Sequence, residues 1–122
     1  MGLTFVSLRV FGKTKFKSMV AAVDTGFVGD LITRSEFLKD LDVELKWERV
    51  RTIADGKRVT VRYGLGSGEV MGEVTSLDLE VWDELKLPEN TQALLGATAL
   101  EKLGLRVDPK TGRLEKTDLY LL

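Results

Sequence analysis

Leu3, Phe5, Ser7, Arg9 and Phe11 alternate with Thr4, Val6, Leu8 and Val10. Both sets are largely apolar, so the pattern predicts a strand with one face well buried. Gly12-Lys13 supplies a turn. Lys15 to Val23 is the returning strand, polar first and apolar towards its end. That apolar run stops at Asp24-Thr25-Gly26, and the chain turns apolar again at Phe27-Val28. A carboxylate at the mouth of a buried strand is costly to place unless it is partnered. Asp-Thr-Gly is also a plain turn sequence, so its surroundings decide what it is.

Phe27 to Ile32 reads as a further extended run. Thr33-Arg34-Ser35-Glu36 has the Thr-x-x-Glu spacing of a capping box. Phe37, Leu38 and Leu41 can share one face of the short helix it would start. Leu45 to Ile53 reads as strand. Ala54-Asp55-Gly56-Lys57 predicts a hairpin with a type I′ turn, because Asp-Gly tolerates the positive φ angles. Val59, Val61 and Tyr63 alternate on the return strand. Gly64-Leu65-Gly66-Ser67-Gly68 lacks both the G-x-G-x-x-G and the P-loop patterns, and reads as a turn or strand irregularity. Val70, Gly72 and Val74, then Leu77, Leu79 and Val81, predict two more strands, and Asp83 to Thr91 a surface loop. Ala93-Leu94-Leu95-Gly96 is a short apolar strand. Thr98-Ala99-Leu100-Glu101 repeats the capping-box spacing, Leu100 and Leu103 face inward, and Gly104 ends the helix. Leu105-Arg106-Val107 leads to a turn at 109–112, and Arg113 to Leu122 is a last strand. About eight or nine short strands with two short helices predict an all-β, closed or sandwiched domain spanning 1–122.

Composition narrows the chemistry. The chain has 122 residues, 43% apolar and 30% charged, with a net charge of −1, which suits a globular protein and suggests no nucleic-acid partner. No apolar run reaches the length of a membrane span, and the N-terminus lacks the pattern of a signal peptide, so a cytoplasmic location is expected. Cys and His are both absent. That excludes a thiol nucleophile, a Ser-His-Asp triad and His-ligated zinc. Acid-base work near neutral pH falls to carboxylates, Lys or Tyr. A Ser-Lys hydrolase has no distinctive spacing to support it.

With the apolar strand into Asp24-Thr25-Gly26, the hairpin tipped by Ala54-Asp55-Gly56-Lys57, and Leu94-Leu95-Gly96 before a short helix, the chain resembles a retropepsin-like aspartic protease. The resemblance covers about residues 3–116. Asp-Thr-Gly-Phe-Val-Gly looks more like the small prokaryotic members than the viral ones, where a small residue commonly follows the Gly. The hairpin tip has one Gly and two charges where viral flaps are Gly-rich. The resemblance implies a closed acid-protease-like barrel with one or two short helices and a flap hairpin. It implies an aspartic endopeptidase in which Asp24 meets its symmetry mate in a homodimer, with no cofactor and no metal. It also implies that Asp24, Thr25 and Gly26 are catalytic. Substrate peptide or unfolded protein would touch Gly26, Phe27, Val28, Ile53, Ala54, Asp55 and Gly56. Thr25 would bond to the opposite loop, and Leu94 and Leu95 would pack behind Asp24. The alternative function is a non-catalytic dimeric peptide-binding or dimerisation module on the same fold.

Overall fold

The computed structural model describes residues 3–117. Strands β1 (Thr4–Phe11) and β2 (Phe16–Asp24) form an antiparallel hairpin, from Thr4 opposite Val23 to Phe11 opposite Phe16. Alternation sends Leu8 and Val10 of β1 and Met19, Ala21 and Val23 of β2 into the core. The turn is pinned from outside. Asp42 accepts hydrogen bonds from the Thr14 amide (2.7 Å) and hydroxyl (2.7 Å).

The predicted extended run at 27–32 shrinks to β3 (Leu31–Thr33). Residues 25–30 are instead a loop that spends its backbone groups on contacts with later parts of the chain. The first predicted helix is a single 3-10 turn, Ser35–Phe37, without a side-chain cap. Thr33 does not cap it because its hydroxyl donates to the Gln92 carbonyl, and Thr33 is fully buried. Leu38 and Leu41 are nevertheless in the core and Phe37 packs against it.

Strands β4 (Trp47–Thr52) and β5 (Arg58–Val70) make the hairpin expected around Gly56. Its turn is not type I′. Gly56 N–H donates to the Ile53 carbonyl (2.9 Å) and Ile53 N–H to the Lys57 carbonyl (2.8 Å). Gly56 has φ +86° while Asp55 is not in the positive-φ region. The loop is therefore the three-residue kind that ends on a left-handed glycine. Two successive positive φ angles occur instead at Met71 (53°) and Gly72 (82°). They turn β5 directly into β6 (Glu73–Val81), so the strand expected across Val70–Val74 is broken there. Gly64 to Gly68 is not a turn but the middle of the thirteen-residue β5. A Cβ on Gly66 would lie 2.6 Å from the Phe11 carbonyl oxygen, so glycine lets β1 approach β5.

Strand β7 (Ala93–Gly96) runs into helix α1 (Ala97–Leu103), which is followed by β8 (Leu105–Val107) and β9 (Leu114–Lys116). Thr98 lies inside α1 and caps nothing; Gly96 is the N-cap residue and offers no side chain. Gly104, at φ 67° and ψ 37°, closes the helix as the sequence predicts. Of the expected strand from Arg113 to Leu122, residues 114–116 pair with β8, and 118–122 lie outside the described residues.

The sheet order β1-β2-β7-β3-β6-β5 closes on itself through the β1–β5 pairing, with β4 attached outside β5. Six strands thus make a closed barrel, and the fold is all-β with one α-helix. Leu31, Leu77, Leu79 and Leu95 fill it and have no more than 1% exposure. Each such burial contributes about 1.5–3 kcal/mol. Among the described residues, no helix is long and apolar enough to cross a membrane.

Candidate active site

Asp24 is the last residue of β2, and in the barrel it is the parallel partner of Gly96, the last residue of β7. Two parallel strands therefore end side by side, the first followed by a loop and the second by helix α1. The loop after Asp24 passes directly against the β7–α1 junction. Gly96 N–H donates to the Asp30 carbonyl (2.8 Å) and Ala97 N–H to the Phe27 carbonyl (2.9 Å). A Cβ on Gly96 would lie 2.2 Å from the Gly29 carbonyl oxygen and 2.7 Å from that of Phe27. Any side chain at 96 would push the loop away, so Gly96 is the surface against which residues 27–30, just after Asp-Thr-Gly, are packed. Leu95 is fully buried behind the loop, while Leu94 faces forward into a cleft.

Asp24, Thr25 and Gly26 are exposed. The Asp24 Oδ1 accepts the Gly26 amide (3.0 Å), and its carbonyl accepts the Phe27 amide (3.1 Å). Among the described residues no salt bridge reaches Asp24. The partner expected for a buried carboxylate is absent because, within one chain, Asp24 is not buried. The Thr25 hydroxyl makes no hydrogen bond among the described residues.

The β4–β5 hairpin stands over this loop. Between them opens a cleft of about 910 Å³. Asp24, Gly26, Phe27 and Val28 line one side, and Ile53, Ala54 and Asp55 of the hairpin tip line the other. Ile32, Val61, Trp82, Leu85 and Leu94 form an apolar floor, while Glu84 and Lys86 line it as well. Thr25 and Gly56 do not line the cleft: Thr25 faces outward and Gly56 is exposed at the hairpin tip. The structure brings seven of the nine sequence-identified residues to one cavity.

Two buried carboxylates escape sequence reasoning. Glu80 on β6 is fully buried, and Arg51 on β4 holds it with two hydrogen bonds, Nε to Oε1 (2.8 Å) and a terminal nitrogen to Oε2 (2.6 Å). Asp30, at the end of the loop after Asp24, is 4% exposed and accepts the Asp78 amide and the Lys102 ammonium, both at 2.8 Å. Its other oxygen has no partner. A local signal was present: Asp78 and Glu80 alternate with Leu77, Leu79 and Val81, where a buried charge needs a partner. Next to it, Arg49 binds Asp78 at 2.9 Å and stacks on Tyr63 at 3.8 Å. Burial works against the Arg49 charge, but the Tyr63 hydroxyl, Asp78 and Glu80 outweigh it and raise its pKa above the ordinary value. Among the described residues no group of three or more His, Cys, Asp or Glu is placed to hold a metal.

No protein-family model and no curated protein matches the chain. Among solved structures it is similar to the retroviral protease-like domain of Ddi1 from Leishmania major. The two align over 97% of this chain and 92% of that one, with a TM-score of 0.52 and 12% identity. The fold is retropepsin-like.

Proposed function

We propose that the chain is an aspartic endopeptidase whose active unit is a homodimer, in which two Asp24 side chains face each other across a two-fold axis. One observation carries this reading. Asp24 stands exposed on a loop braced by the β7–α1 junction, at the edge of a peptide-sized cleft covered by a hairpin. Peptide hydrolysis by carboxylates needs two of them, one to take a proton from water and one, protonated, to donate towards the scissile carbonyl. Two like charges in contact do not both ionise, so the pair holds a single proton. With one Asp-Thr-Gly per chain, the second carboxylate comes from a second copy.

The other residues then have roles. Thr25, without a hydrogen-bond partner among the described residues, bonds across the axis and fixes the spacing of the two carboxylates. Gly26 and Val28 lie along the substrate, and Ile53, Ala54 and Asp55 close over it and exclude water. The apolar floor favours peptides with bulky apolar side chains at the bond cut. Cleavage of an unfolded protein at acidic pH tests the reading. Wild type cuts, and Asp24→Asn does not, while keeping its fold and its dimer. Wild-type rates in pure Asp24→Asn remove Asp24 from the chemistry. A folded dimer that binds peptide without cutting it at any acidic pH leaves a peptide-binding module.

A further inference from the structure

The strand that carries the hairpin tip is attached to the loop that carries Asp24, and one side chain makes the attachment. Arg51 lies two residues before the tip loop. Its Nε and one terminal nitrogen grip both oxygens of Glu80, at 2.8 and 2.6 Å. Its remaining terminal nitrogen donates to the Val28 carbonyl at 2.8 Å. The guanidinium lies over the Phe27 ring, 5.1 Å from its centroid. A Cβ on Gly29 would lie 2.7 Å from the guanidinium and 2.5 Å from Phe27, so Gly29 leaves room for both.

All three nitrogens of this guanidinium are thus engaged by protein, through three of its five N–H groups, and the side chain lines the cleft with 24% exposure. Glu80 is fully buried on a barrel strand, which makes it a fixed anchor, and the fork geometry of Arg sets the direction in which Val28 is held. Arg49 occupies the neighbouring rung of the same ladder, facing Asp78 and Glu80, but makes no hydrogen bond to residues 27–29.

We propose that Arg51 is a positioning residue. It clamps the base of the hairpin and the 27–29 loop to the same buried anchor, so that hairpin motion is confined to residues beyond Arg51 and the Asp24 loop keeps one conformation. The clamp is independent of whether the cleft cuts peptides; only its kinetic consequence rests on the peptidase reading.

The test is Arg51→Lys, which keeps the charge but cannot reach Glu80 and Val28 together. Amide hydrogen exchange is read at Gly26, Phe27, Gly96 and Ala97, whose N–H groups hold the loop in place. Their exchange quickens about tenfold relative to the β1–β2 amides. On a fluorogenic peptide, kcat falls about tenfold while KM changes little, because a loosened loop displaces the reacting group more than the binding surface. Arg49→Lys leaves both readouts at wild-type values. If Arg51→Lys does not fold, Arg51→Met combined with Glu80→Met removes both charges together and leaves Arg49 paired with Asp78; the same four amides are then read. Unchanged loop exchange in a folded variant overturns the proposal. So does a rise in KM alone, which would make Arg51 a substrate contact. Absence of hydrolysis by the wild type overturns the peptidase reading only, and the exchange data then decide the clamp.

Discussion

Asp42 and Asp83 are two of the side chains that tie loops in place. Asp42 holds the β1–β2 turn, and its pKa is lowered mainly by the Thr14 hydroxyl, with the Thr14 and Lys15 amides adding to it. Asp83 holds the start of the 3-10 turn, and its pKa is lowered by the Ser35 amide and then the Ser35 hydroxyl, both at 2.7 Å. A carboxyl whose folded pKa lies below its unfolded value stabilises the fold above that unfolded value, here 3.8. The contribution disappears as pH falls through the lower, folded pKa. Asp83→Asn therefore lowers the melting temperature at pH 6, and the gap to wild type closes as the pH falls below 3.8 and through the lower, folded pKa. A gap that stays constant with pH contradicts the linkage. At this scale the sequence was a partial guide. Asp24 announces itself because Asp-Thr-Gly follows an apolar strand. Arg51 and Glu80 do not, because they are 29 residues apart and meet only once β4, β5 and β6 are laid side by side. The capping boxes failed for a local reason: Thr33 found a better acceptor in the Gln92 carbonyl, and Thr98 lies past a helix start already set by the Gly96 crossing.

Hairpins were the most legible elements, since alternation and Gly positions are local signals. The β1–β2 ribbon and β4 stand within a residue or two of where the sequence puts them, while β5 runs past the expected return strand through Gly64–Gly68 to Val70. The turns inside them were less legible, because Asp-Gly serves both two-residue and three-residue loops. Which one forms depends on the register of strands whose pairing is not written at the turn. Met71-Gly72 escaped for the converse reason: Met carries no turn preference, yet the β5–β6 register places it at φ 53°. The revised geometry at Gly56 keeps the expectation for Gly56→Val. Its φ is +86° and a Cβ would meet nothing within 4 Å, so the cost is backbone strain rather than collision. That strain amounts to about 1 kcal/mol or more, in a ribbon tip outside the core. If the tip covers substrate, kcat/KM on a fluorogenic peptide falls several-fold more than the small drop in melting temperature explains. An unchanged kcat/KM in the folded variant removes the hairpin from catalysis and leaves Asp24 untouched.

Barrel closure is a property of the whole chain and was only outlined by the sequence. The all-β class follows from the count of short alternating segments. The parallel pairs β2–β7 and β3–β6 join segments about 70 and 48 residues apart, and no local pattern encodes them. Those pairs are what bring Asp24 beside Gly96. The proposed dimer is a larger step of the same kind. A single chain leaves Asp24, Thr25 and Val28 exposed, Val28 by 72%, and supplies one Asp-Thr-Gly. Sedimentation at micromolar concentration is expected to give twice the mass of 13.6 kDa. A monomer with full activity refutes the two-fold site. The pH dependence follows from that site. A pair sharing one proton is competent only between its two macroscopic titrations, so kcat/KM is bell-shaped around an acidic optimum. With no His in the chain, neither limb belongs to imidazole. The acid limb has a second contributor, because Asp42 and Asp83 lose their stabilising charge as pH falls. Measuring the folded fraction at each pH separates the two. Corrected for folding, the acid limb persists if the carboxylate pair causes it, and it flattens if loss of the loop ties does. Activity that climbs steadily into alkaline pH contradicts a shared proton and points to a lysine base.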